Sequence, residues 1–137
     1  MTRILFAIWI AFLIGCGDIP PKPGHDDTSP VTNEMLIGTQ LTDIRQPDLT
    51  WDFADSLVVI QNKDQPIPSD LVEALLGDQS TCRRIEATWT TNSKDRVLRL
   101  SSMKVDGEDI GKEATISIEP AGKIRVNIGT RQYNRNW

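Results

Sequence analysis

The sequence predicts a mainly β or α+β domain: an antiparallel β-meander with one short helix packed on the sheet. Three observations predict it. Apolar and polar residues alternate through Ile85-Glu86-Ala87-Thr88-Trp89-Thr90 and again through Leu98-Arg99-Leu100-Ser101, the period of a strand with one dry face and one wet face. Turn-forming clusters recur at short intervals, at Asn92-Ser93-Lys94-Asp95, Asp106-Gly107 and Pro120-Ala121-Gly122, so successive strands need no crossover helices. Only one stretch, residues 69–76, carries apolar side chains at helical spacing and also has start and stop signals.

The chain opens with Met1-Thr2-Arg3, a short positive start, followed by an uninterrupted apolar run from Ile4 to Ile14 that ends at Gly15-Cys16. A transmembrane helix needs about 20 apolar residues, so this run is too short to span a bilayer and has the layout of a secretory signal over residues 1–15. The residues Leu13-Ile14-Gly15-Cys16 resemble the lipobox of bacterial lipoproteins, in which aliphatic and small residues precede an invariant cysteine. The resemblance implies that a diacylglycerol is added to the Cys16 thiol, that a dedicated peptidase cuts before Cys16, and that the new amino group takes a fatty acyl chain such as palmitate. More than one acyl chain makes such an anchor durable. Gly17 follows the cysteine, and Asp18 stands one place later. In that family this arrangement leans toward outer-membrane delivery where the host has an outer membrane.

Residues 16–33 read as the lipidated anchor and a tether. The segment from Gly17 to Asn33 has four prolines, two glycines and almost nothing to bury. The only histidine, His25, lies here beside Asp26 and Asp27, a sparse set for a metal ion and better read as solvated linker. Residues 34–137 form the single domain. Loop and short strand are expected up to Thr50, because Gly38 and Pro47 interrupt any helix. Trp51-Asp52-Phe53 alternates, and Leu57-Val58-Val59-Ile60 is a β-branched strand. For the helix, Ser69 is the expected N-cap, with Asp70 and Glu73 in the first turn. Leu71, Val72, Leu75 and Leu76 form a core-facing stripe, and Gly77 closes it in a left-handed cap. Two further strands are expected at 114–119 and 123–129, with Ile116 and Ile118 matching Ile124, Val126 and Ile128. The last residues, Thr130 to Trp137, read as a polar tail that docks on the sheet.

The formal net charge of −4 makes nucleic acid an unlikely partner and conceals an uneven distribution. Residues 16–81 hold three basic side chains, Lys22, Arg45 and Lys63, against 12 acidic ones, whereas residues 82–137 hold 11 basic and 7 acidic. Arg96, Arg99, Lys123 and Arg125 fall on outward positions, with Arg131 and Arg135 in the tail. Pairing with the acidic half of the same chain is the favoured account of this basic face. If the face binds a ligand or partner, the contacts expected are Arg99, Arg125, Arg131, Tyr133 and Trp137, and the partner is an envelope protein or an anionic ligand.

No histidine in the domain means no Ser-His-Asp or Cys-His arrangement, and no Gly-rich phosphate loop or zinc-type spacing occurs. Asp106, Glu108 and Asp109 lack the register of a calcium loop and read as a hairpin turn. No cofactor is expected. With Cys16 lipidated, Cys82 stands alone. Arg83 and Arg84 argue for a reactive thiol, and the lack of a second cysteine or a histidine argues for a structural one, which is the reading adopted. Pairing of Cys82 between chains stays open. Trp51, Phe53, Trp89, Tyr133 and Trp137 are enough aromatics to line a pocket, although Trp89 is on the inward face of its strand.

From Trp89 through Leu98-Arg99-Leu100-Ser101, Val105-Asp106-Gly107 and Ile124-Arg125-Val126-Asn127-Ile128-Gly129 to Arg131-Gln132-Tyr133-Asn134, the chain is similar to small exported proteins of planctomycete-type bacteria. The similarity covers about residues 70–137. It implies a self-contained domain ending in a strand and a short Tyr-bearing tail, and brings no activity, ligand or site with it. The expected product is a lipid-anchored, non-enzymatic binding or structural module of the cell envelope, outside the cytoplasmic membrane. The alternatives are a small-ligand carrier or sensor with an aromatic-lined sheet face and, third, an enzyme resting on carboxylates and lysines.

Overall fold

The alternation read in the sequence becomes nine strands in a computed structural model that describes residues 29–136, the last of these by its backbone alone. In chain order they are β1 (Gln40–Asp43), β2 (Leu49–Phe53), β3 (Leu57–Asn62), β4 (Arg84–Asn92), β5 (Val97–Val105), β6 (Glu108–Asp109), β7 (Ala114–Pro120), β8 (Arg125–Ile128) and β9 (Arg131–Asn136). Two short helices accompany them, α1 (Asn33–Leu36) and α2 (Ser69–Leu76). Every pairing between strands is antiparallel, as the meander predicts. The sheet is not open. β1 pairs with both β2 and β9, and β4 pairs with both β3 and β5, so eight strands close into an up-and-down barrel with β6 appended to β5.

Eight strands enclose a space that side chains just fill. Here the inward positions are taken by Leu41, Leu49, Trp51, Phe53, Val58, Ile60, Ile85, Ala87, Trp89, Leu98, Leu100, Met103, Ile116, Ile118, Val126, Ile128 and Tyr133, all buried. Trp51, Phe53, Trp89 and Tyr133 touch in series: Tyr133 meets Trp51 edge-on at 5.9 Å, Trp51 stacks on Phe53 at 6.0 Å, and Phe53 meets Trp89 edge-on at 4.9 Å. A bulge in β5 keeps this interior in phase. Ser102 has a φ of +51°, the pairing shifts between Glu86/Lys104 and Thr88/Ser101, and so Met103 faces inward along with Leu100.

The barrel has two distinct ends. At one, called here the helix end, lie the 44–48 loop, α2, β6 and the β8–β9 turn. At the other, the entry end, lie α1 and the β2–β3, β4–β5 and β7–β8 turns. The Asp106-Gly107 hairpin has both central residues at positive φ, the geometry its sequence predicts. α2 occupies the expected residues 69–76, buries Leu71, Val72, Leu75 and Leu76, and ends at Gly77 with φ +83°. Lys112 Nζ donates to the Leu76 carbonyl at 2.6 Å, placing a cation at the negative helix terminus.

Four expectations are corrected. Ser69 is the first helical residue, not the N-cap. Pro68 holds that position and there is no side-chain cap bond, because proline's φ already suits a helix start. Ile124 is 58% exposed and outside the strands, so β8 begins at Arg125. The folded unit also starts before residue 34: Val31 is buried, and the Asn33 Oδ1 accepts from Thr91 N at 2.8 Å and Thr91 Oγ1 at 2.6 Å. Finally, the polar tail is strand β9, the strand that closes the barrel. Among the described residues no helix is long and apolar enough to cross a membrane.

Candidate functional site

The helix end carries the one partly enclosed ion-pair network of the described residues. Leu41 and Asp43 share the inward face of β1, so the alternation that buries Leu41 carries a carboxylate to the barrel rim, where it is 2% exposed. A buried carboxylate needs partners. Asp43 Oδ1 accepts the backbone N–H of Arg45 at 2.7 Å and of Gln46 at 3.0 Å, which folds the 44–48 loop over it. Its Oδ2 accepts from Arg131 Nη1 at 2.8 Å. The rest of the same guanidinium grips Asp70 at the start of α2: Nε to Oδ2 at 3.0 Å and Nη2 to Oδ1 at 2.8 Å. This two-point fork matches guanidinium to carboxylate geometry. Arg131 therefore ties β9, β1 and α2 together at one corner. Its bonds to Asp70 and Asp43 raise its pKa despite partial burial, and in return they hold the Asp70 carboxyl below the usual carboxylate range.

Around this corner opens a polar cleft of about 620 Å³, bounded by Arg45, Gln46, Asp70, Asn127, Thr130 and Gln132, with Ile44 at its edge. Both charge signs and several amides meet in it. A second, shallower groove of about 390 Å³ runs over the outside of β4, β5 and β7, where Thr88, Thr90, Ser101 and Thr115 surround Arg99 beside Glu113. Arg99 has no carboxylate within ion-pair distance among the described residues.

The predicted contact residues do not form one surface. Arg131 is in the cleft but is committed to Asp43 and Asp70, so the expected pairing of basic and acidic halves holds at this position. Arg99 lies on a different wall. Arg125 points outward from the first position of β8, donating to Asn134 Oδ1 at 3.3 Å and Gln132 Oε1 at 3.2 Å. Tyr133, read as a tail contact, is instead wholly buried. Burial pushes its hydroxyl well above the tyrosine range. Neither that hydroxyl nor Trp51 Nε1 reaches hydrogen-bonding geometry with another described group, whereas Trp89 Nε1 donates to the Ala54 carbonyl at 2.9 Å. Cys16 and Trp137 lie outside the described residues. Cys82 is buried and unpaired by disulfide, and desolvation, with Asp106 and Asp78 adding to it, pushes its thiol pKa up rather than down. Among the described residues no three Asp, Glu, Cys or His side chains converge in a way that would hold a metal ion.

Asp43, Asp70, Arg45 and Gln46 were not among the residues expected at a site. One signal was available: Asp43 has the same strand parity as Leu41, and a carboxylate on the dry face implies a buried partner. No family model, curated protein or solved structure matches this chain.

Proposed function

We propose that this chain is a bacterial lipoprotein, anchored outside the cytoplasmic membrane through Cys16, whose barrel is a non-enzymatic binding module that offers its polar end cleft to an envelope protein. One observation carries the reading: the chain enters the barrel at one end, and the mixed-charge cleft opens at the other, facing away from an anchor attached through residues 16–28. The lipobox Leu13-Ile14-Gly15-Cys16 supports the anchor, Gly17 after the cysteine supports outer-membrane delivery, and the similarity of residues 70–137 to small exported proteins agrees with export. A cleft with both charge signs and amide groups suits the polar rim of a protein surface better than a compact anion, because its guanidinium is already occupied by carboxylates. A carrier built on an aromatic-lined face draws less support, since Trp51, Phe53, Trp89 and Tyr133 fill the barrel interior. An anionic small ligand is the second reading, favoured by Arg99 within its ring of hydroxyl groups.

Two measurements test the first reading. Cys16→Ser abolishes metabolic fatty-acid labelling; unchanged labelling refutes the anchor. A photo-crosslinker at Thr130 in intact envelopes gives a discrete adduct that Arg45→Glu removes, while the same probe at Ser93, at the entry end, gives none. Equal adducts from both positions, or none from either, refute the cleft as the binding face.

A further inference from the structure

The entry end differs from the helix end in what it exposes. Ile124, the most exposed large apolar residue among those described, is 58% accessible at the tip of the β7–β8 turn and stands between Lys123 and Arg125. Ile37, 43% exposed, lies in the turn between α1 and β1. These positions share one arc of the rim. Gln40 of β1 pairs with Asn136, Leu41 pairs with Arg135, and Arg135 N donates to the Ile124 carbonyl at 2.8 Å. The turn is held rigidly: Ala121 N donates to the Arg125 carbonyl at 3.0 Å, and Arg135 Nη2 donates to the Lys123 carbonyl. Lys123 has no carboxylate ion-pair partner among the described residues, whereas Arg125 donates to the side-chain oxygens of Asn134 and Gln132, which draw its guanidinium along the wall toward the helix end. Of the acidic groups of this end, Asp55 and Asp95 lie in the β2–β3 and β4–β5 turns, Glu119 is paired with Arg96 at 3.6 Å, Asp52 accepts from Gln40 Nε2 at 2.9 Å, and Glu34 stands in α1 one turn before Ile37.

We propose that the arc formed by Ile37, Lys123 and Ile124 is a docking surface for an anionic lipid bilayer. The inference rests on the anchor reading above: a chain lipidated at Cys16 and entering the barrel at this end keeps this end nearest the bilayer. A protruding isoleucine beside a lysine is suited to that interface, with the isoleucine in the acyl boundary and the ammonium at the headgroups. Docking through this arc sets the barrel on the membrane with the cleft outward, so the anchor and the arc together fix an orientation that the anchor alone does not.

The test uses the full chain as isolated from membranes, reconstituted into phosphatidylcholine vesicles with and without phosphatidylglycerol. An environment-sensitive thiol label is placed at Ile124→Cys or, as the comparison, at Thr130→Cys on the helix end. Buried Cys82 stays unlabelled, and intact mass reads acylation of Cys16 in the same samples. With Cys16 acylated, the label at 124 is quenched by nitroxide-bearing lipid in the anionic vesicles and the label at 130 is not. Replacing Lys123 with Ala lowers the docked fraction about fivefold. Equal quenching at the two positions in acylated protein overturns the docking surface and leaves the anchor standing. If the mass shows no acylation, the anchor reading fails by itself. Docking then survives only if the chain co-sediments with phosphatidylglycerol vesicles and Ile124→Ser abolishes this; no co-sedimentation overturns it.

Discussion

At Arg131 one guanidinium satisfies two carboxylates that are not equivalent. Asp43 is 2% exposed and Asp70 is 55% exposed, so removing the arginine leaves a buried charge on one side and a hydrated one on the other. Arg131→Ala is expected to cost about 3 kcal/mol of unfolding free energy, because the charge left behind at Asp43 keeps only its two backbone donors. Asp70→Ala is expected to cost less than about 1 kcal/mol, since an exposed pair is screened by water. Urea denaturation of the two variants checks this, and equal small losses would contradict the corner's role. Arg131→Lys does not rescue, because an ammonium cannot reproduce the fork. Cys82 makes a separate prediction at the same scale. Buried, with its pKa raised, its thiol reacts with a disulfide reagent in folded protein far more slowly than in urea. Rapid modification at neutral pH would restore the reactive-thiol reading that Arg83 and Arg84 suggest in the sequence.

Among elements, α2 shows how a correct boundary can rest on a wrong cap. The apolar stripe and Gly77 are local features, so the helix was legible over its full length. The side-chain cap was not, because proline replaces it. Ser69→Ala is therefore expected to change stability by less than about 0.5 kcal/mol, while Gly77→Ala costs about 1–2 kcal/mol by forcing a Cβ into the left-handed region. Thermal melts of the pair check the ranking, and a larger loss from Ser69→Ala would point to a cap bond after all. β9 is the opposite case. Its sequence, Arg-Gln-Tyr-Asn-Arg-Asn, offers a single apolar residue, and one inward tyrosine is no alternation. Only partners on both sides, β1 and β8, make it a strand.

For the whole molecule, closure is the property that matters most. β1 and β9 meet across nearly the full length of the domain, so loss of either leaves two raw sheet edges and an open core. Deletion of residues 131–137 is expected to abolish cooperative unfolding; a retained sharp transition would show that the other strands are stable as an open sheet. The pH dependence follows from three shifted groups. Asp70 is lowered from its ordinary 3.8, mainly by its hydrogen bonds from Arg131, so the folded chain there binds fewer protons than the unfolded one. That contribution is present above about pH 4 and is lost as the pH falls through the folded value. Cys82 and Tyr133 are raised by burial from 9.0 and 10.0, so their contributions are complete below those values and are lost as the pH rises past them. A midpoint that is flat near neutrality, declining below pH 4 and above pH 9, is the expected urea profile. A rise in stability above pH 10 would contradict the burial of Tyr133.

The sequence by itself determined the strand alternation, the turns, the one eight-residue helix and its left-handed stop, because each depends on residues within a few positions of one another. It also carries all of the residues on which the proposed anchor rests, Leu13-Ile14-Gly15-Cys16. The tertiary structure alone decided that the meander closes, that the aromatics fill the interior, and that Arg131 is held between Asp43 and Asp70. Those outcomes depend on contacts between residues as far apart as Asp43 and Arg131. A barrel's shear and closure are set by all of its strands together, and no local pattern in any one of them encodes which distant edge it will meet.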